Sequence, residues 1–174
     1  SHKVKDAGLA TLDLSGWALA LNGAEPIRHD TLVRFNARFA PAGLAPEALL
    51  PCYGMAEATL IITGKPAGRL FTSLRLDRAA LERHDVKIVD GEAADAVVAV
   101  SSGRSIGDEH LLIVDPDTGQ PSPPLTVGEI WVNGPHVADG YWGRPGATRE
   151  TFLATCEASP GRRYLRTGDL GFLH

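Results

Sequence analysis

Lysine and cysteine are the scarce residues of this chain, and each scarcity narrows what it can do. After Lys5 the only lysines are Lys65 and Lys87, and the formal net charge over 174 residues is −4. No block of basic residues stands out, which argues against nucleic acid as a partner and against an anionic-membrane surface. The two cysteines, Cys52 and Cys156, lie far apart and lack metal-ligand spacing. Free thiols in a reducing compartment are therefore expected. No apolar run approaches the roughly 18 residues of a spanning helix, and no signal peptide is visible. The expectation is a cytoplasmic protein with no stable membrane insertion.

The chain is 44% hydrophobic and 22% charged, close to globular averages, so a sizeable core is possible. Its length fits one domain or one lobe of a larger one. The C-terminal YLRTGDLGFLH reads as strand, turn and strand with no closing element, and 19 Gly and 12 Pro punctuate the chain, heavily in its second half. This composition points to a piece of a longer protein.

Along the chain, DLSGWALALNGAEPI (13–27) carries a short apolar run, Trp17 to Leu21, that ends at Asn22-Gly23. Such a run bounded by turn residues predicts a buried parallel strand. RHDTLVRFNARFA (28–40) places Leu32, Phe35 and Phe39 at helical spacing with Asp30 as N-cap. ALLPCYG (48–54) predicts a second strand. Strand, helix, strand is the βαβ unit of a parallel sheet, and ligands bind such sheets at the carboxyl ends of the strands. LNGAEP and CYGMAEAT both lie at that end, so two loops could face one pocket.

Further on, RLFTSLRLD (69–77), VKIVDG (86–91), DAVVAVSSG (95–103), HLLIVDPDTG (110–119) and GEIWVNG (128–134) predict strands. DRAALERH (77–84) and RPGATRETFL (144–153) predict short helices, the latter with Pro145 in its first turn. The fold class expected is α/β, a parallel-rich sheet with flanking helices followed by a short-stranded second half.

Three side chains could carry chemistry. PCYGMAEATLIITG (51–64) reads as a strand end, a turn and a helix start, with Glu57 at the junction. A carboxylate there can bind Mg²⁺, a hard cation that shares ligands with substrate phosphates; it can equally complement the positive end of a helix. Tyr53 can stack on a flat ring or serve as a core tyrosine. Asp169 in TGDLG can accept from ribose hydroxyls or simply form a turn. Trp17, Trp131, Tyr141 and Trp142 read as core or lining residues. Cys52 has no activating base nearby and reads as packing.

Taken together and in order, NGAEP, YGMAEAT, GEIWVNGPHVADGYWGRP followed by TRETF, and YLRTGDLGFL resemble motifs of the adenylate-forming superfamily. That group includes acyl-CoA synthetases, luciferases and peptide-synthetase adenylation domains. The resemblance runs from about residue 12 to 174. The wording of WALALNGAEPI, PCYGMAEATLIITG and LRTGDLGFLH is most similar to fatty acyl-AMP ligases. These activate a fatty acid with ATP to an acyl-adenylate and pass it to an acyl carrier protein. They resemble this chain in a second respect, a long stretch between the Tyr-Gly-x-x-Glu motif and the SSGRSIGD turn. The resemblance places their extra segment at roughly 71–98, where in the family it restricts movement of the small domain. A surface elaboration without catalytic role is the alternative for that segment.

The resemblance also implies roles for single residues. Tyr53 stacks on adenine, Gly54 lets the backbone approach the nucleotide, and Glu57 contacts Mg²⁺ beside the ATP phosphates. Gly23, Ala24 and Glu25 line the other face of the adenine, and Asp169 holds the ribose hydroxyls. Met55 and Ala56 sit near the carbonyl end of the acyl chain. A phosphate loop ending in Pro-Lys-Gly is absent, as is the lysine that the family keeps in its small C-terminal domain. The expectation is the later part of the large N-terminal domain: a nucleotide-site region at about 12–66, the insertion at about 71–98, and short strands with the ribose motif at about 100–174. By itself such a piece would be inactive. The alternatives are part of an acyl-CoA synthetase, part of a peptide-synthetase adenylation domain, or a non-catalytic module that kept the fold.

Overall fold

The computed structural model describes residues 4–91 and 95–174; the part of the expected insertion at 92–94 lies outside them. The described residues form two compact units. The first holds the chain up to Gly54, Thr63–Leu74 and Val98–Arg104. The second holds Met55–Ile62, the described part of Arg75–Val97, and Ser105–His174.

The first unit is built on the predicted βαβ pattern. β1 (Ala20–Asn22) leads through α2 (His29–Phe39) to β2 (Leu49–Met55), and β1 pairs with β2 in parallel, Ala20 opposite Leu49 and Asn22 opposite Pro51. α2 buries Leu32 and Phe39, the two ends of its apolar stripe. Phe39 packs in a cluster with Leu44 and Ala48, joined by Val4, Leu9, Leu14 and Phe35. The Phe35 and Phe39 rings lie 4.7 Å apart. The short helix α1 (Asp6–Leu9) is tied to α2 by Arg38, which pairs with Asp6 at 2.6 Å and donates to the Val4 carbonyl at 2.9 Å.

Two expectations for this region change. Asp30 is not the N-cap: Arg28 occupies that position without a side-chain bond, and Asp30 falls in the first turn, where its charge complements the helix dipole. The apolar run at Trp17 to Leu21 is not buried either. Only its end is strand, and Trp17, Leu19 and Leu21 are exposed. β1 is the end strand in the order β1-β2-β3-β6, where β3 is Leu60–Gly64 and β6 is Arg104–Ser105.

After β3 the chain is held by a buried cation. Lys65 is 7% exposed, and its ammonium donates to the carbonyls of Glu47, Pro66 and Arg69. Burial pushes its pKa down, partly offset by the Glu47 charge. Gathering three carbonyls that no strand ladder uses is a side-chain solution to backbone satisfaction in a loop.

β4 (Ser73–Asp77) and β5 (Ala96–Val100) pair as a two-stranded sheet, and the chain passes from one unit to the other along each. In the second unit α3 (Arg78–Leu81) starts at Asp77, whose carboxylate accepts the Ala80 N–H at 2.8 Å. The predicted strand at 86–91 is instead an irregular segment. It makes isolated bonds, Asp77 N–H to the Lys87 carbonyl and Val89 N–H to the Arg75 carbonyl. Leu76, Ala80 and Val86 are buried there, so the described part of the 71–98 stretch carries apolar contacts of its own.

The remainder of the second unit is antiparallel. β7 (His110–Val114), β8 (Gly128–Asn133) and β9 (Leu165–Gly171) form one sheet in that order. Val114, Trp131, Cys156 and Tyr164 make its core cluster, with Leu112 and Ala154 against it. Tyr164 is fully buried, and its hydroxyl bonds His110 Nδ1 at 2.8 Å. α4 (Pro145–Phe152) begins with Pro145 in the first turn, as predicted. The strand-turn-strand expected at the C-terminus is one bulged strand, β9. Trp131 is core, but Trp142 is fully exposed. The α/β class holds, with mixed rather than uniformly parallel sheets.

Phe39 anchors the α2 cluster while Val33 on the same helix is 45% exposed. Phe39→Ala should therefore cost about 3–5 kcal/mol and Val33→Ala less than about 0.5 kcal/mol. Urea denaturation of the two variants measures the difference.

Candidate nucleotide site

The nine residues singled out by sequence divide between the two units. Gly23, Ala24, Glu25, Tyr53 and Gly54 belong to the first; Met55, Ala56, Glu57 and Asp169 belong to the second.

In the first unit, the loop after β1 passes close to β2. A Cβ on Gly23 would lie 2.9 Å from the Cys52 carbonyl oxygen and 3.0 Å from its sulfur. Only glycine fits this approach without moving backbone. The Cys52 thiol donates weakly to the Asn22 carbonyl at 3.5 Å, and burial pushes its pKa up. It is a packing cysteine, as expected, and no reactive thiolate. Ala24 has φ +69°, the left-handed region that favours glycine. Holding an alanine there costs about 1–2 kcal/mol, and such strain concentrates at ligand sites. Glu25 is exposed, and Tyr53 and Gly54 are half-buried near the end of β2.

In the second unit, Met55 closes β2 and Ala56–Ala58 form a single 3-10 turn, which runs into β3. The helix expected after Glu57 does not form. Thr59 at φ +58° and Leu60 at φ +134° turn the chain back, and LIITG is a strand-forming sequence. A three-residue turn has little dipole, so complementing a helix end is not what Glu57 does here.

Contacts with the 136–141 segment hold this turn. The Ala138 N–H donates to the Glu57 carbonyl at 2.9 Å, and the Thr59 hydroxyl donates to the His136 carbonyl at 2.5 Å. The Tyr141 hydroxyl donates to Glu57 Oε1 at 2.8 Å. That bond, and then burial, push the Tyr141 pKa up. α4 positions Tyr141 in turn: Thr148 Oγ1 accepts its N–H at 2.9 Å, and the Phe152 ring meets its ring edge-on at 5.0 Å. Sequence read Tyr141 as a core or lining residue. Its polar link to Glu57 is a finding of the tertiary structure.

Glu57 suits a magnesium ion of the kind that takes one carboxylate from protein and the rest from phosphates and water. Tyr141 occupies one of its oxygens. Among the described residues no group of three or more Asp, Glu, His or Cys side chains could hold a metal ion by itself.

Asp169 is exposed on a bulge of β9. Glu129 faces Leu170 and Trp131 faces Arg166, so one residue of β8, Ile130, lies opposite Thr167, Gly168 and Asp169. Gly168 has φ +75°. Bulges re-aim side chains and recur beside active sites. Glu129 holds this one. It is 5% exposed, and its Oε2 accepts from Trp131 Nε1 at 2.9 Å, Arg166 Nη2 at 2.9 Å and Arg166 Nε at 3.1 Å. Its Oε1 accepts the Gly168 N–H at 3.1 Å. Arg166 also lies over the Trp131 ring, 5.7 Å from its centroid. The Thr167 hydroxyl donates to the Ile130 carbonyl at 2.8 Å and accepts the Asp169 N–H at 3.1 Å. Sequence reasoning passed over Glu129. The available signal was a lone charge inside the apolar strand GEIWVN.

Burial would raise the Glu129 pKa, but the bonds from Trp131, Arg166 and Gly168 and the Arg166 charge outweigh it, and the net shift is downward. A folded pKa below the unfolded value means stability that is present above about pH 4.5 and lost as pH falls through the folded pKa. Unfolding free energy should decline on acidification below that point, and the decline should be smaller in Glu129→Gln. Urea titrations across pH 3–7 measure this.

The chain matches the family described as AMP-binding enzyme over residues 2–142. It is 45% identical over 166 residues to the medium-chain-fatty-acid–[acyl-carrier-protein] ligase JamA of Moorena producens, covering 94% of this chain and 28% of that protein. It is 42% identical over 181 residues to a Mycobacterium tuberculosis protein named as a fatty-acid–CoA ligase, fadD25, covering 99% of this chain and 30% of that one. Among solved structures, the fatty acyl-adenylate ligase of Legionella pneumophila in complex with acyl adenylate and pyrophosphate superposes with a TM-score of 0.92. It is 42% identical and covers 99% of this chain and 30% of its own. The chain thus spans less than a third of the length of these relatives.

Proposed function

The chain belongs to the AMP-binding enzyme family, and from that premise we propose that it forms part of the large domain of a fatty acyl-AMP ligase. The carrying observation is the match in backbone and sequence to a ligase whose structure holds acyl adenylate and pyrophosphate. A reducing, cytoplasmic setting is supported by the two free thiols, Cys52 and Cys156. Among the described residues no helix is long and apolar enough to cross a membrane.

The reaction proposed is substitution at the α-phosphorus of ATP. A fatty acid carboxylate oxygen bonds to that phosphorus, the bond to pyrophosphate breaks, and a mixed acyl-phosphate anhydride remains. The thiol of a phosphopantetheinylated acyl carrier protein then takes the acyl group as a thioester, and AMP leaves. Magnesium held by Glu57 would neutralise the charge on the phosphate oxygens. Tyr53 stacks on adenine, and Gly54 admits the nucleotide close to the backbone. Gly23, Ala24 and Glu25 form the adenine's other wall, with Gly23 setting how near β2 that loop runs. Met55 and Ala56 lie toward the acyl carbonyl. Asp169 accepts from the ribose hydroxyls. Tyr141 keeps the Glu57 carboxylate in one orientation, which limits the reorganisation needed when phosphates arrive. The 71–98 segment restricts the small domain.

Acyl-CoA formation is the second reading, favoured by the name of the Mycobacterium tuberculosis relative. Incubating the full-length ligase with Mg-ATP and a labelled fatty acid, with CoA or with the carrier protein, separates the two. Acyl-adenylate that persists with CoA and transfers to the carrier is expected. Efficient acyl-CoA formation would overturn the carrier reading, and no adenylate with any acid tried would favour a non-catalytic module.

In the same protein Glu57→Gln should raise the magnesium concentration needed for half-maximal adenylation while fatty acid binding is unchanged. Equal loss of both would mean a structural role. Asp169→Ala should raise KM for ATP roughly 10- to 100-fold, the equivalent of about 1–3 kcal/mol of lost bonding to ribose. An unchanged KM would remove Asp169 from the site.

A further inference from the structure

We propose that Glu129 is the positioning residue for Asp169, its buried carboxylate holding the β9 bulge in the shape that presents Asp169 to the ribose. This rests on the ribose reading of Asp169 given above.

Three residues of β9 stand opposite one of β8, so the strand ladder cannot set the path of the bulge. Side-chain bonds set it instead. Glu129 Oε2 takes Arg166, just before the bulge, and Oε1 takes the N–H of Gly168, the residue immediately before Asp169. The two oxygens of one carboxylate therefore fix both the entry to the bulge and its middle. Thr167 completes the frame, bonding Ile130 across the strands and the Asp169 N–H behind it. A structural need alone does not explain this choice. A buried carboxylate is costly unless fully bonded, and an apolar residue at position 129 would fill a strand interior at lower cost. The carboxylate alone can accept from a guanidinium, an indole and a backbone amide together.

The asymmetry of its two oxygens gives a selective test. In Glu129→Gln the amide oxygen goes toward Arg166 and Trp131, where three donors converge. The NH₂ group then faces the Gly168 N–H, donor against donor. The bulge is pushed away at that point and Arg166 loses its ion-pair partner, while the pairing of β8 with β9 outside the bulge is kept. Trp131→Phe removes one donor to Oε2 and leaves the Gly168 bond in place.

The experiment compares ATP with 2′-deoxy-ATP in the full-length ligase. Glu129→Gln is expected to raise KM for ATP about 10-fold, leave KM for the fatty acid unchanged, and reduce the preference for ATP over 2′-deoxy-ATP. The double variant with Asp169→Ala should show no lower preference than Asp169→Ala alone, because both act through one contact. Trp131→Phe should lower Tm and keep the preference. A folded Glu129→Gln that keeps the preference, while Asp169→Ala loses it, overturns the positioning role and leaves the ribose reading standing. Preference retained in Asp169→Ala overturns the ribose reading, and this inference with it. If Glu129→Gln does not fold, Thr167→Val takes its place. It unties the bulge from Ile130 and is expected to shift the preference in the same direction; no shift overturns the inference.

Discussion

A carboxylate buried at the start of β8 governs the second unit. Glu129 is shut away from water, and a charge so placed survives only if its lone pairs are used. They are used by the Trp131 indole, the Arg166 guanidinium and the Gly168 amide. Each donor belongs to a different structural feature. Trp131 is part of the core cluster with Val114, Cys156 and Tyr164; Arg166 is a β9 residue paired across the sheet; Gly168 is the bulge. One ionised group thereby couples core, strand pairing and the presentation of Asp169.

Side-chain ties recur at other places where the chain leaves regular structure. The 56–59 turn is too short for a helix and is tied by side chain and backbone to the 136–141 segment, with α4 behind Tyr141. The loop after β3 is tied by the Lys65 ammonium to three carbonyls. The loop after β1 is pressed against Cys52 with an alanine at positive φ. Irregular backbone displays side chains and strands supply rigidity, so polar groups must replace the missing ladder bonds. With the β9 bulge these make four places, and three of them carry residues proposed above for nucleotide or metal contact. The Lys65 loop does not.

The chain's motifs were legible because several separated stretches resemble one superfamily in one order, and the family match and the ligase structures agree with that reading. The βαβ unit was also legible: an apolar run, a helical stripe at Leu32, Phe35 and Phe39, and a second apolar run are local patterns. So were α3, within DRAALERH, and α4, announced by Pro145. The segment at 86–91 was misread as strand because VKIV has strand composition, whereas its bonds are to scattered partners. The turn at Glu57 was misread as a helix start because MAEA is helix-forming. The strand-forming LIITG after it, and the bonds from 136–141, prevail over that local propensity.

Local sequence determined where helices and the first parallel pair form, and which residues resemble a nucleotide site, since periodicity, end signals and motif wording are properties of neighbouring residues. Only the tertiary structure decided the partners of the charged groups. Tyr141 reaches Glu57 from 84 positions away, and the Gly168 amide reaches Glu129 from 39. The register slip that ejects Asp169 likewise exists only once β8 and β9 are paired. A lone Glu in an apolar strand looks the same in sequence whether it faces water or a converging set of donors. The physical difference is desolvation, and desolvation is set by what the fold packs around it.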